Sequence, residues 1–108
     1  MQKEISIFLR VFGNSPKLRV LDFLMSFPRF DYSLTDIAKN AKIGYSTLML
    51  FWKRDFVKTG LVIETRKVGK SRMFQINEKN PAVQQLLKLD WALSKYVINK
   101  ITKKEVAV

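Results

Sequence analysis

Residues 33–60 leave this chain few ways to fold. Ser33-Leu34-Thr35-Asp36 has the spacing of a helix-opening capping box, with Asp in place of the usual Glu. The helix it starts reaches about Ala41. Lys42-Ile43-Gly44 then forms a tight turn, and a second helix runs from Tyr45 to about Lys58, with Gly60 as terminator. Helices this short are marginal alone in water, so each must bury an apolar face. Ile37, Ala38 and Ala41 supply that face in the first. In the second, Leu48, Phe51, Trp52 and Phe56 fall at i, i+3, i+4 and i+8, a single stripe. The segment therefore reads as two short helices, each with one apolar face to bury.

The flanks supply the rest of that core. Ser15-Pro16 is an N-cap followed by Pro in the first turn. It opens a helix over 16–27 whose stripe is Leu18, Leu21, Leu24 and Met25, with Val20 beside it and Pro28 as the stop. Upstream, Ile5, Phe8, Leu9 and Phe12 have helical spacing. Ile5, Ile7, Leu9 and Val11 also alternate as a strand would, and the helix, over 3–12, is the preferred reading. Gly13 is expected to end it in a left-handed cap. Residues 30–32 are short and extended. Beyond Gly60, a strand over 61–66, a turn at Lys67-Val68-Gly69-Lys70 and a strand over 72–77 form a β-hairpin, with Phe74 and Ile76 on one face. Asn80-Pro81 repeats the cap-and-proline signal and opens a last helix over 81–103, which frays at Lys103-Lys104. The expected fold is mainly α (α+β): a core over 14–78 with three helices and a hairpin, plus a helix at each end, all in one domain over 1–108.

Charge points to the partner. Twenty Lys and Arg against nine Asp and Glu give +11 and a pI near 10.1, the balance of a protein that meets a polyanion. Between Lys39 and Arg72 lie nine basic residues and only two acidic ones, Asp55 and Glu64. There is no Cys and no His, so disulfides, thiolate chemistry and the usual zinc sites are excluded, and the commonest general base is missing. No carboxylates gather at a catalytic spacing. The expectation is therefore no enzyme, no metal and no cofactor. Nor is there a signal peptide or an apolar run near the roughly 20 residues that span a bilayer, so a cytoplasmic, nucleoid-associated protein without membrane contact is expected.

The segment TDIAKNAKIGYSTLMLFWKRDFVKTGLV, residues 35–62, resembles the helix-turn-helix of the MarR-like and ArsR-like winged helix-turn-helix regulators, especially archaeal ones. The match rests on Ala38, on Ile43 five positions later, on Ser46-Thr47 opening the second helix, on Leu48 as anchor, and on Gly60-Leu61-Val62 leading into the hairpin. With the hairpin and flanking helices it covers about residues 15–89. Two positions depart: Lys42 stands where the family often has Gly, and Gly44 where it often has Ser. The stretch from Leu48 to Gly60 is also one residue longer than typical.

The resemblance implies binding of double-stranded DNA, with the helix over 45–58 in the major groove and the hairpin as the wing. The contacts would come from Lys42, Tyr45, Ser46, Thr47, Met49 and Lys53 in the turn and helix, and from Arg66, Lys67, Lys70, Ser71 and Arg72 in the wing. Ser46 and Thr47 suit phosphate or base edges, Met49 a thymine methyl, and Tyr45 a phosphate. Basic wing residues suit the backbone or minor groove. Trp52 is read as a core anchor, Trp91 as a core or dimer contact, and Arg10, Lys17 and Arg19 as a solvated face. The function expected is a sequence-specific transcription regulator. The alternative is an architectural, chromatin-like or plasmid-maintenance protein with little base preference. A small-molecule effector is compatible with the chain, but no residues point to one.

The last helix is too apolar for an accessory. Leu86, Leu89, Leu93, Tyr96 and Ile101 run down one side, and Val83, Leu87, Ala92, Val97 and Ile98 widen the surface. With Ile5, Phe8, Leu9 and Phe12 they form the expected homodimer interface. The alternative is pairing of the first and last helices within one chain.

Overall fold

The computed structural model describes the backbone of residues 5–107 and the side chains of residues 5–102. Helix α1 is Ile7–Phe12, α2 is Pro16–Ser26, strand β1 is Tyr32–Ser33, α3 is Leu34–Ala41 and α4 is Tyr45–Phe51. A π-helical segment, Trp52–Val57, continues α4. Strands β2, Val62–Val68, and β3, Ser71–Ile76, precede the long helix α5, Pro81–Ala107. The sheet is antiparallel with β3 between β1 and β2. This is an α+β winged helix with a β-hairpin wing.

The caps act where the sequence put them. Ser15 Oγ accepts from the Leu18 amide and Ser33 Oγ from the Asp36 amide. Asn80 Oδ1 accepts from the Ala82 amide at the start of α5. Helix α1 is shorter than expected, because Ser6 caps it and accepts from the Leu9 amide. Positions 3 and 4 of the expected helix lie outside the described residues, as do the side chains of Lys103 and Lys104. Gly13 does take a positive φ, 110°, but with ψ 164° it is not the left-handed cap expected. The wing turn is tighter than the four residues expected: Gly69, at φ 61°, and Lys70 join the strands, with glycine at the first central position as a type II′ turn requires.

One core serves every element. Val20 and Leu24 of α2, Ile37 of α3, Leu48 of α4, Phe56, Ile76 of β3 and Val83 of α5 are fully buried. The predicted stripe Leu48, Phe51, Trp52 and Phe56 is buried throughout. Trp52 stacks on Phe56 at 5.3 Å and meets the edge of Phe74 at 5.3 Å. The π-helical turns explain the extra residue between Leu48 and Gly60. Bonds from i to i+5 hold one more residue per turn than those of an α-helix, so the insertion is absorbed without turning the stripe off the core.

Helix α1 packs against both α2 and α5 of its own chain, the intramolecular pairing named above as the alternative. This corrects the interface expected for α1. Of the four residues expected there, Phe8 and Leu9 are buried in the chain's own core, and Ile5 and Phe12 remain exposed. Among the described residues no helix is long and apolar enough to cross a membrane.

Candidate nucleic-acid interface

The turn between α3 and α4 is a Schellman motif. The Ile43 amide donates to the Ala38 carbonyl at 3.0 Å and the Lys42 amide to the Lys39 carbonyl at 3.2 Å. Lys42 takes the left-handed conformation, φ 61° and ψ 45°, which explains why glycine is frequent here in the regulators the segment resembles. Two carbonyls left over at the end of α3 are capped from α2. Arg19 Nε donates to the Ala41 carbonyl at 3.1 Å and Nη2 to the Lys42 carbonyl at 2.9 Å. Arg19, read from sequence as part of a solvated face, thus clamps the turn that aims α4. Lys17, from the same group, pairs with Asp55 at 2.7 Å, and Arg54 pairs with Asp55 at 2.8 Å. These cations hold the Asp55 carboxyl well below the usual carboxylate range, Arg54 contributing most.

Gly44 is the N-cap of α4 and makes no side-chain cap bond. From it α4 presents Tyr45, Ser46, Met49 and Leu50 outward, and Lys53 stays exposed in the π-helical segment. Thr47 does not share that face. It is half-buried, and its Oγ1 lies 3.7 Å from where a Cβ on Gly44 would stand, so it turns back toward its own helix start. Leu50, at 76% exposure, is the residue that the sequence reading missed. Its signal was present, since it lies off the apolar stripe, one turn from Ser46 and Lys53.

The wing folds over against these helices. A cleft of about 310 Å3 lies between them, lined by Ser33, Leu34 and Thr35 at the start of α3, by Tyr45, and by Lys67, Lys70, Ser71 and Arg72 of the wing. No acidic residue lines it. Tyr45 and four of the five wing residues expected are therefore brought together. Lys42, Ser46, Met49 and Lys53 lie outside the cleft, exposed along the turn and α4.

Arg66 is the exception in the wing. Its Nε and Nη2 donate to the two oxygens of Asp31 at 2.9 and 3.1 Å. Arg66, with added help from the Thr65 hydroxyl, holds the Asp31 carboxyl down to about 2. Arg72 stands 3.9 Å from Glu64, a looser pair. Among the described residues no three His, Cys, Asp or Glu side chains gather into a metal-holding group.

No protein-family model matches this sequence, and no curated protein is detectably similar to it. Among solved structures, the crystal structure of the AntR antimony-specific transcriptional repressor superposes with a TM-score of 0.59 at 19% identity, covering 86% of this chain and 78% of that one. The two share a fold.

Proposed function

We propose that this chain is a double-stranded DNA-binding transcription regulator, with the helix starting at Tyr45 in the major groove and the wing, 66–72, on the backbone or in the minor groove. The observation that carries the reading is the cleft between the two. One wall is the amide-rich start of α3, the other is Lys67, Lys70 and Arg72, and no carboxylate interrupts them. A DNA backbone passing there meets cations and helix-end amides together. The likeness to a transcriptional repressor agrees with this reading. Antimony specificity is not carried over, because a chain with no Cys has no soft thiolate to offer a metalloid. Tyr45 and Ser46 serve phosphate, and Met49 with Leu50 offers apolar contact to thymine methyls. The reading carries with it a cytoplasmic, nucleoid-associated location and no catalytic step.

One observation favours the architectural alternative. The outward face of α4 holds no Arg, Asn or Gln, the side chains that read guanine and adenine with two bonds at once. Selection from a random duplex library separates the two. The regulator enriches a defined, near-palindromic motif. An architectural protein binds the starting pool and the selected pool with equal affinity.

The regulator reading includes a homodimer through α5. Leu86, Leu93 and Val97 are half-buried by the chain itself, while Leu89 and Tyr96 stay exposed on one flank and Trp91, Ile98 and Ile101 on the other. Trp91 and Tyr96 are 64% and 65% exposed, large apolar surfaces for water to meet. A second copy covers them and sets two recognition helices about 34 Å apart, one helical turn of DNA. Sedimentation equilibrium at micromolar concentration should give the mass of two chains, and of one after truncation before Leu93. A one-chain mass unaffected by truncation rejects the dimer.

A further inference from the structure

The wing has little to hold it. On β2 every residue after Val62 is exposed, so beyond that point this strand is held by its pairing to β3 and buries no side chain of its own in the core. The exception is a polar clasp at its base. The register between β2 and β3 breaks between Glu64 and Arg66, leaving Thr65 without a partner. Adjacent residues of a regular strand point to opposite faces, so Thr65 and Arg66 could not reach one group from one. The bulge turns them to the same side. Thr65 Oγ1 donates to Asp31 Oδ2 at 2.5 Å, and Arg66 grips both oxygens of that carboxylate.

Asp31 is itself fixed. It immediately precedes β1, whose Tyr32 pairs with Phe74 and rests against Phe23 at 4.6 Å between ring centres. Three residues earlier, the Pro28 carbonyl accepts from Gln75 Nε2 at 3.0 Å. Strands β1 and β2 flank β3 on opposite sides, so the clasp ties the free strand of the wing across the central strand to a segment anchored on the core.

We infer that Asp31 is a positioning residue for DNA binding: with Thr65 and Arg66 it fixes the wing across the cleft from the start of α3 and Tyr45, and Arg66 acts through this clasp rather than as a phosphate contact. The inference rests on the DNA-binding reading above, and it reverses an electrostatic expectation. Removing a carboxylate beside a DNA-binding surface should tighten binding if charge alone mattered. If the clasp positions the wing, removing it loosens binding although the protein becomes more positive.

The test measures duplex affinity and wing amide exchange together. Asp31→Asn and Arg66→Lys should each weaken binding roughly 3- to 10-fold, and the double variant no more than either, because both break one unit. Arg66→Lys keeps the charge but loses the two-pronged grip, so it separates the clasp from a simple phosphate contact. Asp31→Glu should restore much of the affinity. Amides of Val68 and Ser71, the pair that closes the wing turn, should exchange faster in both breaking variants, while those of Leu24 and Ile37 in the core stay as in the unmodified protein. Asp31→Asn binding as tightly as the unmodified protein or tighter, or wing exchange unchanged by both variants, overturns the inference. Failure of the unmodified protein to bind any duplex would instead overturn the DNA-binding reading, and wing exchange would still decide the clasp.

Discussion

At the scale of single residues, long-range polar contacts join core packing in setting the aim of the proposed binding surface. Arg19 caps carbonyls 22 and 23 positions away, and without it both lose a charged donor at the turn into α4. Arg19→Ala should lower stability by ~1 kcal/mol in urea unfolding, since both bonds are at least partly exposed. A shift under a few tenths would remove Arg19 from the account. Lys42 sits in a left-handed conformation that costs an L-residue about 1 kcal/mol, so Lys42→Gly should stabilise the fold or leave it unchanged while weakening DNA binding. Asp31 gives the acid dependence a definite sign. Its carboxyl titrates near 2 in the folded protein, below its ordinary value of roughly 4. The contribution of the clasp is therefore complete above about pH 4 and is lost as pH falls toward 2. In acid titrations monitored by circular dichroism, Asp31→Asn should be less stable than the unmodified protein at pH 6, and the gap should narrow between pH 4 and 2. A gap that widens on acidification would contradict the assignment.

At the scale of elements, what was legible in the sequence was what is local. Ser15-Pro16, Ser33 and Asn80-Pro81 announce helix starts, because a cap and its amide are two or three residues apart. The Leu48-Phe51-Trp52-Phe56 stripe announces the buried face of α4, because burial repeats with the helical period. The bulge at Thr65, the Arg19 clamp and the Asp31 clasp had no such signature. The partners of Arg19 and Asp31 lie far away in the chain, and only tertiary folding brings them together, while the bulge depends on the register of two strands that the hairpin's own sequence does not mark. The π-helical segment falls between these cases: its extra residue shows in the spacing, but its bonding pattern does not. Phe8 and Leu9 were misassigned to a dimer because an apolar stripe does not say which surface will cover it.

Among the described residues, one buried side-chain group in this segment stands without a hydrogen-bond partner. The Trp52 indole nitrogen is buried without a hydrogen-bond partner, a cost of about 1–3 kcal/mol. Trp52→Ala should destabilise by about 3–5 kcal/mol through loss of the stacked ring. Trp52→Phe deletes the orphan donor with part of the ring, and its cost should stay below about 2 kcal/mol. Equal losses in the two variants would show that the nitrogen has a partner after all.

At the scale of the molecule, charge and shape act together. The chain measures 56 × 34 × 23 Å, and the 27 residues of α5 account for roughly 40 Å of the longest dimension. The basic wing, the start of α3 and Tyr45 share one cleft, whereas the apolar flanks of α5 lie on a separate helix. In the proposed dimer the chains pair through α5 and leave two basic faces for one duplex. If about 3–5 phosphates are neutralised per subunit, a dimer neutralises roughly 6–10, and log affinity should fall with log salt at a slope near −0.9 per phosphate. The most direct test of this account is therefore duplex affinity measured across salt concentrations. A slope between about −5 and −9 is the result predicted, and one shallower than about −3 would contradict it.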